Sequence, residues 1–172
     1  MIGEVDESDE FRVEIGKVEK LREGNDITII SMSYMSIEAI HAAKELEKYN
    51  ISCEIIDLKT ISPLDWDGIY TSIEKTKRIL VLDTASEFGS IGSDIIAKVS
   101  MKYNKQLLSA PSIIALSNMH SPTSYALTRD YYKDAEDIVI EVCKIFGEKN
   151  YNPKFMNKKH HDIPGDWFKG PF

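Results

Sequence analysis

The chain has 172 residues, of which 42% are hydrophobic and 28% are charged, and this composition is typical of one globular domain with tails. Its formal net charge of −7 argues against nucleic acid or an anionic membrane surface as the main partner. No apolar run approaches the roughly 20 residues of a membrane-spanning helix, and the first residues do not form the basic-then-apolar pattern of a signal peptide.

The two cysteines, Cys53 and Cys143, both lie within apolar periodic segments. We expect them to be small buried hydrophobic residues rather than a disulfide or a metal-binding pair. Unpaired thiols are typical of a reducing compartment, so the sequence predicts a cytoplasmic location.

Apolar periodicity predicts a single domain over residues 15–147. Residues 1–14 are expected to be an acidic lead-in and linker, and residues 148–172 a C-terminal tail. Strands are predicted, in chain order, at Lys17–Leu21, Ile27–Ser31, Ser52–Leu58, Arg78–Asp83 and Pro111–Leu116.

Helices are predicted between these strands and after the last one. Their expected starts are Ser33 or Ser36, the turn Ser62–Asp65, Ser93 or Asp94, and the capping residue Asp134. Asn50 and Gly147 are suited to the left-handed conformation that ends the first and the last helix. Their apolar faces are expected to contain Ile37, Ile40, Ala43 and Leu46, then Trp66, Ile69, Tyr70 and Ile73, then Ile95, Ile96, Val99 and Tyr103, and finally Ile138, Val139, Val142, Ile145 and Phe146. The stretch 117–133 is predicted to be irregular.

Alternating strands and helices predict a three-layer α/β/α domain with a mostly parallel sheet and right-handed crossovers. Four consecutive apolar residues, Ile79–Leu82, are typical of a strand that is buried on both faces in the middle of such a sheet. A sheet of this kind places its functional residues at the carboxyl ends of its strands.

The predicted central strand is followed by a loop with Gly89 and Gly92, where the backbone can turn tightly before the next helix begins. Asp83 and Glu87 are the two acids at this corner that we consider candidates for a functional role. His120 lies at the same edge and could transfer a proton or bind an acidic group of a substrate. An ordinary strand–turn–helix corner and a loop imidazole remain the simpler interpretations. The corner has neither a G-x-G-x-x-G pattern nor a phosphate-loop lysine.

The residues by themselves give no catalytic, cofactor-binding or metal-binding set. His160 and His161 are adjacent, and adjacent side chains of an extended chain point to opposite sides, so we predict no metal site there. His41 is expected to be a boundary residue of its helix. The aromatic segment Trp167–Phe172 should dock on the chain's own surface or on a partner, and the sequence leaves its role open.

Several blocks in a fixed order carry a resemblance to a known family. They are GKVEKLREGNDITIISMSYM (16–35), EAIHAAKEL (38–46), ISCEIIDLKTISPLD (51–65), KTKRILVLD (75–83) and AEDIV (135–139). They resemble the C-terminal domain of the transketolase-like thiamine diphosphate enzymes. The likeness is greatest to the beta subunit of the decarboxylase component of 2-oxoacid dehydrogenase complexes, such as those for pyruvate or branched-chain substrates.

The resemblance implies a five-stranded sheet with one antiparallel strand, expected at Lys17–Leu21. It also implies roles in subunit association and in docking an acyltransferase core. In this family thiamine diphosphate binds between a pyrophosphate-binding and a pyrimidine-binding domain, so we expect the cofactor and its magnesium in the parent enzyme and none in this chain. The chain is therefore expected to be a fragment, or one product of a split gene, that is inactive alone.

Departures from the family pattern fall at the predicted functional edge. In the family's E-A-x-x-x-G-G-x-G-A-E corner, Thr84 stands for Glu, Ser90 for the second glycine and Ser93-Asp94 for Ala-Glu. The family's D-x-P-x-P loop corresponds to residues 120–124, where His120 replaces the Asp and Ser124 the second Pro. The expected subunit-contact candidates are Asp83, Glu87, Phe88, Gly89, Ser90, Gly92, His120 and Pro122.

The resemblance suggests three kinds of partner for these residues: a second copy of the chain, the chains that carry the cofactor-binding domains, and, as a further candidate, the acyltransferase core. The alternative is a stand-alone small-anion or nucleotide-binding module that uses the helix N-terminus at Gly92–Asp94. Nearby acids, Asp83 and Glu87 among them, would repel anions, which ranks this alternative second.

Overall fold

The computed structural model describes residues 12–128 and 130–152. The first eleven residues and the tail from residue 153, with His160, His161 and Trp167–Phe172, lie outside the described residues. The elements are β1 (Glu19–Arg22), β2 (Ile27–Ser31), α1 (Met35–Leu46) with a 3-10 turn (Glu47–Tyr49), β3 (Cys53–Asp57), α2 (Trp66–Thr76), β4 (Ile79–Ser86), α3 (Ile91–Tyr103), β5 (Ser112–Leu116), α4 (Tyr125–Thr128) and α5 (Ala135–Phe146).

The strands form one five-stranded sheet in the order β1-β3-β2-β4-β5. The β2–β3, β2–β4 and β4–β5 pairs are parallel, whereas β1 runs antiparallel to β3 from the pair Glu19–Asp57 onwards. The predicted α/β class, with five strands of which one is antiparallel, is confirmed. The antiparallel strand starts two residues later than expected.

Helices cover both faces of the sheet. Side chains of α1 and α5 pack into one apolar core with Ile29 and Leu80. Side chains of α2 and α3 pack into a second core with Ile30 and Val81. Consecutive residues of β2 and β4 thus face opposite cores, which confirms the prediction that the apolar run starting at Ile79 is buried on both sides. Both cysteines are buried and free, as predicted.

At the sheet edge formed by the carboxyl ends of the strands, the connections that leave the neighbouring strands β2 and β4 run in opposite directions. The chain leaves β2 through α1 to reach β3, but it leaves β4 through α3 to reach β5 on the other side. The loops after β2 and β4 therefore diverge to opposite faces, which is the arrangement that creates a crevice in α/β sheets. None of the helices in the described residues is long and apolar enough to cross a membrane.

The start of α1 differs from the prediction. Tyr34 precedes the helix without a side-chain cap, Ser33 has a φ of 57°, and Ser36 lies inside the helix. The Ser36 hydroxyl donates to Asp57 Oδ1 (2.9 Å), which lies on β3. This distant partner binds the serine that local sequence had suggested as a cap. The buried face of the helix is formed by Met35, Ala39, Ala42, Ala43 and Leu46, with Ile37 and Ile40 at its margins.

Two further expectations at the functional edge need correction. Strand β4 continues to Ser86, beyond the predicted end at Asp83, because its last residue pairs with Leu116 after an irregularity in the ladder. Helix α3 begins at Ile91 with Ser90 as its cap, earlier than the predicted start at Ser93 or Asp94. The stretch predicted to be irregular contains the single turn α4.

Candidate functional site

The corner between β4 and α3 is held together by the Asp83 carboxylate, which is only 3% exposed. Its Oδ1 accepts a hydrogen bond from the Ala85 N–H (2.9 Å) and its Oδ2 accepts one from the Gly92 N–H (2.9 Å). A Cβ at Gly92 would lie 2.7 Å from Ile113 Cδ1 and 3.1 Å from Asp83 Oδ2, so glycine permits this close approach. Asp83 thus packs the corner from inside.

The loop before α3 is fixed by hydrogen bonds of its own. Ser90 Oγ accepts a bond from the Ser93 N–H (3.1 Å), and the Ser93 hydroxyl donates to the Glu87 carbonyl oxygen (2.7 Å). Gly89 has a φ of 69°, in the left-handed region that favours glycine. These hydrogen bonds hold the loop between β4 and α3 in one defined conformation.

The helix N-terminus at Gly92–Asp94 has its backbone donors bonded within the chain. The Gly92 N–H bonds to Asp83, the Ser93 N–H to the Ser90 hydroxyl, and the Asp94 N–H to the Ser90 carbonyl oxygen (3.3 Å). The carboxylate of Asp83 adds negative charge at the same place. This geometry does not favour the small-anion or nucleotide-binding alternative.

Phe88 is the most exposed large hydrophobic residue of this corner, at 81%. Its backbone is nevertheless held, because its N–H donates to the Ser86 hydroxyl (3.4 Å) and the Glu87 N–H donates to the Leu116 carbonyl oxygen (3.0 Å). An anchored loop thus presents an aromatic ring to the surroundings.

The segments that follow β4 and β5 lie side by side, as the parallel sheet predicts for strand ends on the same edge. Besides the Glu87–Leu116 bond, the Ser86 hydroxyl donates to Asn118 Oδ1 (3.4 Å). His120, which is exposed, and Pro122, which is half-buried, follow directly on this second segment.

Hydrogen bonds to Tyr131 hold the segment that follows β5 in place. This tyrosine is 6% exposed, and its hydroxyl lies 3.2 Å from Ser121 Oγ and donates to the Met119 carbonyl oxygen (3.4 Å). Its ring contacts Tyr132 edge-on, with the centroids 5.1 Å apart. A buried aromatic residue thus fixes a loop that sequence reasoning had described only as polar and irregular.

Sequence reasoning also missed part of the apolar surface at this edge. Met119, Tyr125 and Leu127 are 60%, 51% and 66% exposed. The available signal was the presence of large apolar residues without periodicity in an otherwise polar stretch. We call these three residues and Phe88 the apolar edge residues.

Burial divides the eight sequence-predicted contact candidates into two groups. Glu87, Phe88, Gly89 and His120 are exposed and Pro122 is half-buried, whereas Asp83, Ser90 and Gly92 are buried. The buried three shape this surface from inside, and the assignment of all eight as contact residues stays a prediction.

A second helix N-terminus, that of α5, is also occupied by acids of the chain. Glu38, which is 3% exposed, accepts a hydrogen bond from the Ala135 N–H (2.9 Å), and Asp134 accepts bonds from the next two amides. Burial, together with the negative charge of Glu38, raises the pKa of Tyr34 beside them, and burial raises the pKa of Asp137. The tyrosine therefore remains a protonated phenol at neutral pH and is not a base.

The residues of this edge do not fit thiamine diphosphate with magnesium, which the resemblance implies for the parent enzyme. A diphosphate needs free backbone or cationic donors, and magnesium needs free oxygen ligands. Both oxygens of Asp83 and the first-turn amides of α3 are already bonded. Within residues 12–128 and 130–152, no group of three or more His, Cys, Asp or Glu side chains is placed to hold a metal ion.

Comparison with known proteins decides the family. Residues 16–138 match the model of the family described as "Transketolase, C-terminal domain". The chain belongs to this family. The resemblance inferred from the ordered sequence blocks is thereby confirmed.

Relatives of this transketolase C-terminal domain include named subunits of larger enzymes. It is 36% identical over 154 residues to the beta subunit of acetoin:2,6-dichlorophenolindophenol oxidoreductase of Bacillus subtilis (strain 168), covering 88% of this chain and 44% of that protein. It is 43% identical over 92 residues to the pyruvate dehydrogenase E1 component subunit beta of the same organism, covering 54% of this chain and 28% of that protein.

A solved structure of a split-gene transketolase, an inactive beta4 tetramer, has the same fold. It superposes with a TM-score of 0.71 at 27% sequence identity, covering 86% of this chain and 48% of that one. The chain thus spans less than half the length of each of these three proteins.

Proposed function

We propose that this transketolase C-terminal domain is a non-catalytic assembly domain of a thiamine-diphosphate-dependent enzyme, either a 2-oxoacid dehydrogenase beta subunit or a transketolase-like enzyme. The observation that carries the proposal is Phe88, whose side chain is 81% exposed on a loop that its backbone hydrogen bonds hold in place. Aromatic residues presented in this way act as anchors in protein interfaces, because they bury a large area at little cost in conformational entropy.

The other apolar edge residues support the same role. Met119, Tyr125 and Leu127 are more than half exposed on the segment beside the Phe88 loop or directly after it. A soluble domain rarely leaves several large apolar side chains exposed in one region unless a partner covers them. The exposed Glu87 and His120 would form the polar rim of such an interface.

We propose a second copy of the chain as the first partner, and the chains that carry the pyrimidine- and pyrophosphate-binding domains as further ones. The relatives named as beta subunits and the tetrameric split-gene transketolase support an assembly role. Thiamine diphosphate and magnesium would bind those other domains, and an acyltransferase core is the additional candidate partner. A cytoplasmic location, expected from the free cysteines, is part of the same proposal.

The test measures self-association by light scattering over a concentration series, for the wild-type chain and for Phe88→Ser. We expect the wild-type chain to dimerise and the variant to raise the dimer Kd by about 30-fold, which corresponds to the loss of an interface anchor. Met101→Ser is the matched control, since Met101 is 75% exposed in the last turn of α3, whereas the Phe88 loop precedes the first turn, and the change should leave association unaltered.

Three results would contradict the proposal. One is a wild-type chain that stays monomeric at about 1 mM, where even weak dimers form. Another is a Phe88→Ser variant that associates as tightly as the control. The third is decarboxylase or ketol-transfer turnover by the isolated chain with thiamine diphosphate and magnesium added, which would overturn the non-catalytic part.

A further inference from the structure

The segment that leads into β1 is bound by a loop from a distant part of the chain. The Gly16 N–H donates to Thr60 Oγ1 (2.9 Å), and the Val18 N–H donates to Asp65 Oδ2 (3.2 Å). Lys17, between them, has its Nζ 3.9 Å from Asp65 Oδ1. We call residues 12–18 the incoming segment and residues 60–65 the linker-binding loop. Side chains of the loop thus accept hydrogen bonds from two backbone N–H groups of the incoming segment, those of Gly16 and Val18.

The two accepting side chains of the linker-binding loop are themselves oriented by hydrogen bonds. The Thr60 hydroxyl donates to the Pro63 carbonyl oxygen (3.0 Å), which orients its lone pairs towards the Gly16 N–H. Asp65 Oδ1 accepts a bond from the Gly68 N–H (3.1 Å) at the start of α2, which leaves Oδ2 for Val18. One carboxylate therefore connects the incoming segment to a helix of the core.

Two glycines make this close contact possible. Gly16 has a φ of 77°, and a Cβ there would lie 3.1 Å from Pro63 Cγ. A Cβ at Gly68 would lie 2.7 Å from both Asp65 Oδ2 and Val18 Cγ2. Glycine is thus required at both positions: at Gly16 by its positive φ and its contact with Pro63, and at Gly68 by the close packing of Asp65 and Val18.

We propose that the linker-binding loop fixes the direction from which the chain approaches the domain, with Thr60 and Asp65 as positioning residues. Strand β1 cannot provide this by itself, since it has four residues and lies at the edge of the sheet, paired with β3 alone. The linker-binding loop bonds to the backbone of the incoming segment, whereas Val13 and Ile15 of that segment remain 54% and 75% exposed.

The consequence for assembly rests on the proposed function. If this domain joins a larger enzyme through the residues that precede Gly16, the loop determines the angle at which the two parts meet. The contact between the loop and the incoming segment does not depend on that function and can be tested on the chain alone.

The decisive variant is Asp65→Asn, because asparagine caps a helix as well as aspartate does. With its oxygen on the Gly68 N–H, the asparagine would turn its amide NH₂ towards the Val18 N–H, so that two donors face each other. Asp67→Asn is the matched control, since Asp67 is an exposed acid in the first turn of the same helix. Thr60→Val removes the other acceptor at nearly constant shape.

The measurement is amide hydrogen exchange of the full chain, resolved at Gly16, Val18 and Gly68, together with the rate of tryptic cleavage after Lys17. We expect Asp65→Asn to speed exchange at Val18 and cleavage after Lys17 by about tenfold, with Gly68 unchanged, because one hydrogen bond is lost. Thr60→Val should do the same at Gly16, and Asp67→Asn should change neither.

Two results would overturn the proposal: exchange and cleavage in both loop variants equal to the control, or loss of protection at Gly68 instead of Val18. The second result would mean that the carboxylate serves the helix cap alone. Self-association of Asp65→Asn should equal that of the wild type, and Phe88→Ser should keep normal exchange at Gly16 and Val18. Failure of the assembly proposal is therefore distinguishable from failure of this one.

Discussion

At the scale of single residues, Gly92 shows how closely α3 approaches the sheet. A Cβ at this position would meet Ile113 Cδ1 at 2.7 Å, Asp83 Oδ2 at 3.1 Å and Val81 Cγ1 at 3.2 Å. The isoleucine end can turn away, but the Asp83 carboxylate, which is held by its bonds to Ala85 and Gly92, would have to shift by a few tenths of an ångström. We therefore expect Gly92→Ala to lower the free energy of unfolding by about 1–3 kcal/mol, the usual cost of overpacking.

Urea denaturation measures this change, and Gly89→Ala is its matched comparison. Gly89 also lies in the corner, but nothing lies within 4 Å of a Cβ built there, so that only its positive φ opposes alanine. We expect a loss of about 1–2 kcal/mol from the backbone conformation. A Gly92→Ala variant as stable as the wild type would contradict the packing argument.

Glu23 is a second residue whose behaviour follows from its neighbours. The Lys20 ammonium donates to Oε1 (3.0 Å) and the Lys75 ammonium to Oε2 (3.2 Å), and these bonds lower the pKa of Glu23 from its ordinary 4.5 to about 2. A lowered folded-state pKa means that this contribution to stability is complete above pH 4.5 and is lost as the pH falls towards 2.

An NMR titration of the Glu23 side-chain carboxyl carbon tests this, since Lys20→Gln should raise its pKa towards the ordinary value. Added salt should have a similar but smaller effect, because the group is exposed. Lys77→Gln is the control, as it removes an exposed lysine at the end of α2 that has no bond to Glu23. Equal pKa values in the wild type and Lys20→Gln would refute the assignment.

At the scale of elements, α5 has the most complete set of terminal signals. Asp134 Oδ1 accepts bonds from the Glu136 N–H (2.7 Å) and the Asp137 N–H (3.3 Å), and Asp137 Oδ2 accepts one from the Asp134 N–H (3.1 Å). Asp134 as the capping residue was expected from the sequence, as was Gly147 in the left-handed conformation at the other end, whereas the reciprocal bond to Asp137 that completes a capping box was seen only in the structure.

Removing the cap should destabilise the domain by about 1 kcal/mol in Asp134→Ala, as measured by chemical denaturation. Asp134→Asn keeps a capping oxygen and should retain most of the stability. The helix packs in one core together with α1 and the sheet, so the loss should appear in global unfolding rather than as local fraying. Equal stabilities of the two variants would show that the cap does not contribute.

At the scale of the whole molecule, the sheet order determines which strands are most protected. All five residues of β2 are buried and the strand lies between β3 and β4, whereas β1 is short, half-exposed and at the edge. We expect β2 amides to exchange only through global unfolding and β1 amides to exchange at least about 100-fold faster through local opening. Hydrogen exchange at increasing denaturant distinguishes the two routes, and equal protection of both strands would contradict this expectation.

The candidate site illustrates what the sheet order adds to the sequence. Apolar runs located β4 and β5, and their parallel arrangement was enough to predict that the segments containing Phe88 and His120 share an edge. Which side chains of that edge are exposed could not be predicted. Burial of Asp83 depends on α3 packing against the end of β4, and exposure of Leu127 depends on the position of α4.

The sequence by itself determined the class of the fold, the family and the ends of α5, because these depend on short-range periodicity, caps and ordered motifs. Ile27–Ser31 was predicted with the bounds it has in the structure. The tertiary structure alone decided the partners of polar side chains, such as the bonds from Ser36 to Asp57 and from Val18 to Asp65. The physical reason is distance along the chain: each of these bonds joins residues at least 21 positions apart, and only the folded sheet brings them within reach.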